Sequence, residues 1–156
     1  MDTEPKLTPE ELVQLFVSSL GAISGTSAIG VPITFAVLLN GIRQPKYYFS
    51  ESTVETFVAI SWLFFVFALG WAGTTAVDFH LESKLIEPKW RNMDVGEQRW
   101  RTRKWYARTF VAFLLLFAAT FFLSLVVMSY VRPVGYIGIG ITFGLFFYSV
   151  SKRRQS

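Results

Sequence analysis

Charged residues and histidine are missing from four long stretches of the chain: 12–42, 56–77, 109–131 and 133–151. Together they hold 95 of the 156 residues. A helix needs about 20 consecutive apolar residues to cross a bilayer. The pattern therefore predicts an all-α, polytopic membrane protein: a single domain over residues 1–156 with four transmembrane helices. The expected spans are about 18–40, 56–78, 109–131 and 134–150, with a cytoplasmic helical hairpin over 79–108 between the second and third.

Local signals set the ends of these helices. Thr8-Pro9-Glu10-Glu11 reads as a helix start, with a capping threonine, a proline at the first helical position and a glutamate completing a capping box. No turn signal follows before Asn40, so a single helix is expected from there into the first span, with a kink at Pro32. Ser50 to Thr53 suits the start of the second helix. That helix meets no proline before Pro88, so it should run on past the membrane through Leu85. Asp94-Val95-Gly96-Glu97 resembles another capping box, and the third helix follows it without a break. Arg132-Pro133 makes a tight turn that places the third and fourth helices side by side and antiparallel.

Composition adds little to the class but excludes alternatives. Hydrophobic residues make up 52% and charged residues 17%, which argues against a soluble enzyme. Cysteine is absent, which removes disulfides, thiol catalysis and cysteine-ligated metals. The acidic opening MDTEPKLTPEE does not resemble a cleaved signal peptide. The charges also predict an orientation. With four spans, both tails and the second loop share one side and carry 12 basic residues, from Lys6 through Lys84–Arg108 to Lys152–Arg154. The other side carries 3: Arg43, Lys46 and Arg132. The positive-inside rule then puts both termini in the cytoplasm. Tyr47, Tyr48, Tyr130 and Tyr136 suit the outer interface, and Trp90, Trp100, Trp105, Tyr106 and Tyr148 the inner one. Trp62 and Trp71 fall within a span and call for a helix-packing role.

Four features are candidates for function. Ser18, Gly21, Gly25, Ala28 and Pro32 form a small-residue stripe on the first helix, which Glu11 and Gln14 extend toward the cytoplasm. Such a stripe serves close helix packing or the lining of a pore. The fourth helix carries Gly135, Gly138, Gly140 and Gly144, and Gly140 and Gly144 form a GxxxG packing motif. The third span has no glycine but is rich in phenylalanine, so more of its surface should meet lipid. Asp78, His80 and Glu82 lie at the inner end of the second helix, where a solvated helix end is expected rather than a metal or proton site. The run Arg99, Arg101, Arg103 and Lys104, with Trp100 and Trp105, is both a topology signal and a candidate site for anionic lipid. No span centre is ionisable, which argues against a proton pump or an ion-coupled antiporter. No Ser-His-Asp set, HExxH or phosphate loop is present, so neither an enzyme nor a cofactor or metal is expected.

The layout of four spans, both termini inside and a cytoplasmic extension between spans two and three resembles Orai-type calcium channels. That family's pore helix carries an acidic residue at its outer end. Here the end reads Ala36-Val37-Leu38-Leu39-Asn40, so the resemblance is one of architecture and transfers no residues. The expected function is a small channel-like subunit, assembled from copies of itself, with the first helix lining the axis. The alternative is a non-conducting accessory or scaffold subunit that docks on anionic lipid or a partner through its basic hairpin. Expected partners are membrane lipids, further copies of the chain and, under the alternative, other membrane subunits; nucleic acid is not expected.

Overall fold

The computed structural model describes residues 9–42, 45–90 and 93–154, with side chains described for all of these except 9, 86–90, 145, 146 and 148–154. It is all-helical. Four helices follow in order: α1 (Pro9–Asn40), α2 (Glu51–Trp90), α3 (Val95–Tyr130) and α4 (Arg132–Arg154). Three of them, over Glu10–Asn40, Glu51–Leu85 and Val95–Tyr130, are long and apolar enough to cross a membrane. Thr8 and the basic residues Lys6, Arg43 and Arg91 lie outside the described residues, as do the side chains of Lys89, Trp90, Tyr148, Lys152, Arg153 and Arg154.

The helix ends follow the local chemistry. α1 runs through Pro32 without interruption and stops at Gly41, whose φ of 73° is the left-handed conformation that closes helices cheaply only in glycine. The Ser50 hydroxyl accepts a hydrogen bond from the Thr53 amide at 3.3 Å and caps α2. The Asp94 carboxylate accepts from the Gly96 amide at 3.1 Å and caps α3. The expected capping box is only half made, because Glu97 instead pairs with Arg101 one turn on, at 2.9 Å. A single residue, Val131, separates α3 from α4.

Hydroxyls within the apolar helices bond to their own backbone. Ser19, Thr26, Thr34, Thr56, Thr74, Thr120, Ser124 and Thr142 each donate to the carbonyl four residues back. In hydrocarbon no water is present to receive these protons, and this local closure removes most of the cost of carrying them.

α3 touches each of the other helices, whereas among the described residues α4 meets only α3. Part of the α3 surface is therefore taken up by packing against helices. Phe117 and Phe121 pack edge-on against Phe143 of α4, and Phe122 packs against Phe57 and Phe64 of α2. α1 packs along α2 through a stripe of Leu12, Phe16, Leu20, Ile23, Ser27, Gly30 and Thr34, all buried. Gly30 is required there: a Cβ at this position would stand 2.6 Å from the Phe65 ring.

Candidate functional site

Two apolar clusters mark the two ends of the molecule. At one end Phe16, Phe79 and Trp105 pack together with Leu12, Leu20, Ala72 and Ala112, and Trp105 is 1% exposed. At the other, Val54, Val58 and Val126 join Leu38, Ile42, Phe49, Phe57 and Tyr130. Above this second cluster, the segment before α2 is tied to the α3–α4 turn. The Lys46 and Tyr47 amides both donate to the Ser129 carbonyl at 3.1 Å, and the Arg132 guanidinium lies 4.1 and 4.8 Å from the Tyr47 and Tyr48 rings.

Beside the Trp105 cluster lies a network of charge. Asp78 and Glu82 are one turn apart on α2, and Lys104 and Arg108 are one turn apart on α3. Nη1 of Arg108 stands 3.5 Å from both carboxylates, and Nζ of Lys104 stands 3.9 Å from Glu82. Nε1 of Trp105 donates to the other oxygen of Glu82 at 2.8 Å. The solvated helix end expected for these residues is thus an inter-helix ion-pair network, and only His80 of the three stands outside it, exposed. Sequence reasoning missed the pairing because the partners lie some twenty to thirty positions apart. Trp71 also joins α2 to α3, through a hydrogen bond from its Nε1 to the Arg108 carbonyl at 3.0 Å, and Trp62 packs on Phe35 with its own Nε1 buried and unpaired.

The basic run divides by helical face. Arg101 and Lys104 are engaged, with Glu97 and Glu82 respectively, and Lys104 also lies 5.5 Å above the Trp100 ring. Arg99 and Arg103 are exposed and have no ion pair among the described residues.

The α1 stripe lies on the side opposite the core. Glu11, Gln14, Ser18, Gly21, Gly25 and Ala28 are all exposed, and a Cβ at Gly21 or Gly25 would meet nothing within 4 Å. Close packing of α1 within the chain uses a different set of small residues, Ser27, Gly30 and Thr34. Helix four shows the same division. Gly135 and Gly138 face α3, where a Cβ would collide with the Met128 backbone or stand 2.9 Å from the Ser124 hydroxyl. Gly140 and Gly144 are exposed with open space beside them. Among the described residues, Gly21 and Gly25 of the stripe and this GxxxG pair thus stand beside open space within the chain.

Between α1 and α3 runs an open groove of about 430 Å³, lined by Leu15, Ser19, Ala22 and Thr26 on one side and by Tyr106, Phe110, Phe113 and Leu116 on the other. No cluster of histidine and carboxylates suited to a metal occurs among the described residues. Compared with protein-family models, curated proteins and solved structures, the chain matches none.

Proposed function

We propose that the chain is a small oligomeric integral membrane protein with channel-like character, in which copies assemble with α1 toward a shared axis. In this reading α4 is a fourth crossing: its 23 residues rise about 35 Å, enough for a bilayer's apolar core. The excess of basic residues on the tails and the 79–108 segment supports an orientation with both ends in the cytoplasm.

One observation carries the proposal. The face of α1 turned away from the chain's own core is its most polar and smallest, bearing Gln14, Ser18, Gly21, Gly25 and Ala28. Ser19, Thr26 and Thr34 close their hydroxyls onto the backbone, whereas Ser18 makes no such bond among the described residues. A lipid-facing surface favours bulky apolar side chains and satisfied hydroxyls, so this face suits water or a second helix better than acyl chains. Glu11 at its charged end would place an acidic ring at the inner mouth of the axis.

The native chain has no cysteine, which makes the test direct. Single cysteines at Gln14, Ser18, Gly21, Gly25 and Ala28 are treated with charged thiol reagents during conductance recording in planar bilayers. Block or altered current is expected at several of these positions. Unchanged conductance at every one overturns the pore assignment. Purification with foreign subunits, instead of a ring of one chain, would mark an accessory subunit.

A further inference from the structure

The groove between α1 and α3 and the two unpaired arginines form one continuous surface. Arg99, Arg103, Tyr106, Phe110 and Phe113 recur at alternating spacings of four and three residues, so they share one face of α3. The last three line the groove, and the first two continue its line beyond the apolar wall. The other basic residues of this segment, Arg101, Lys104 and Arg108, are held by Glu97, Glu82 and Asp78. What remains is a greasy channel with two guanidinium groups at one end that have no ion pair among the described residues.

We propose that this surface holds one anionic phospholipid, with an acyl chain in the α1–α3 groove and its phosphate on Arg99 and Arg103. Three observations fit this occupant. From Tyr106 to Leu116 the helix rises about 15 Å, half of the roughly 30 Å apolar thickness of a bilayer, so the groove is one leaflet deep. Tyr106 stands at the junction of wall and charge, with the apolar ring and polar tip suited to an interface. The groove's Ser19 and Thr26 hydroxyls already bond to their own backbone, and although the buried Thr109 hydroxyl in its wall has no partner among the described residues, the rest of the lining is largely apolar and suits a hydrocarbon chain. On the opposite lip Glu11 already has an interaction of its own. A guanidinium pair receives a phosphate through charge-assisted, bidentate hydrogen bonds. The inference does not depend on whether α1 lines a pore.

The test uses the full chain in detergent micelles, titrated with dioleoyl phosphatidylglycerol and read as the lipid-bound fraction by native mass spectrometry. Dioleoyl phosphatidylcholine and inorganic phosphate are the comparison arms. Phosphatidylglycerol should be retained, phosphatidylcholine retained more weakly, and inorganic phosphate should not displace the lipid. The double variant Arg99→Gln/Arg103→Gln should weaken retention about 30-fold, the equivalent of about 1 kcal/mol per basic residue. Arg101→Gln/Lys104→Gln should leave it within about twofold, since those charges are already compensated. Ala22→Phe, which fills the groove without touching the arginines, should also abolish retention. Equal loss in both double variants would overturn the site in favour of diffuse charge. Displacement by inorganic phosphate, or full retention by Ala22→Phe, would remove the acyl groove. A change of oligomeric state in Ala22→Phe with lipid retention intact would assign the groove to a second copy.

Discussion

Glu82 sits where three demands meet. It accepts the Trp105 indole proton and faces both Lys104 and Arg108. A hydrogen bond to a charged group is worth about 1.5–3 kcal/mol, and its loss also leaves the buried indole N–H unpaired. The two ion pairs are partly exposed and add less, on the order of 1 kcal/mol or below each. Glu82→Ala should therefore destabilise the chain by about 2–3 kcal/mol, and Lys104→Gln by less than about 1 kcal/mol. Denaturant unfolding in micelles, followed by tryptophan fluorescence, measures both. Equal and small effects would mean that the network contributes little to packing. The presence of these charges could be read from the sequence but not their pairing. Asp78 and Glu82 look like a free helix end until α3 is placed beside them.

At the scale of the element, much was legible in advance because the signals are local. The uncharged runs, Pro9 with its two glutamates, Ser50, Asp94 and Arg132-Pro133 each act within a turn or two, and the helices begin and end close to them. Which face of α1 turns inward was not legible. Small residues occur on two sides of it, Ser18, Gly21 and Gly25 on one and Ser27, Gly30 and Thr34 on the other, so size alone does not distinguish them. The partner decides: Phe65 of α2 needs the space at Gly30. The same ambiguity affects α4, where the GxxxG spacing drew notice to Gly140 and Gly144 although Gly135 and Gly138 face α3. This gives a contrast that can be measured. Gly135→Ala forces a Cβ onto the Met128 backbone and should separate α4 from α3, seen as increased proteolysis around Val131 and the first turn of α4 and a lower melting temperature. Gly140→Ala and Gly144→Ala should leave both unchanged in the isolated protomer. If all three behave alike, α4 is not held by close approach at Gly135.

For the molecule as a whole, α1, α2 and α3 pack on one another and α4 joins them through α3, which leaves two free margins. Among the described residues α4 packs on α3 and touches the segment before α2 through Arg132, and α1 turns its small polar face away from the core. A lone protomer would leave that face against lipid, where helix association is driven by close packing and by polar groups finding partners. Assembly through α1 meets both conditions at once. The proposed assembly would also leave the aromatic surfaces of α3 and α4 at the periphery, and the basic face of α3 beside the headgroups.

The most direct test of this account is disulfide cross-linking between copies. Single cysteines placed at Gly21 or Gly25 in the otherwise cysteine-free chain, oxidised in native membranes, should yield covalent dimers, because a bridge requires Cα atoms within about 7 Å. Cysteines at Phe67 of α2 or Gly144 of α4 serve as exposed controls and should remain monomeric. Dimers at the α1 positions alone are the predicted result; dimers at the controls with none at Gly21 or Gly25 would contradict assembly through α1.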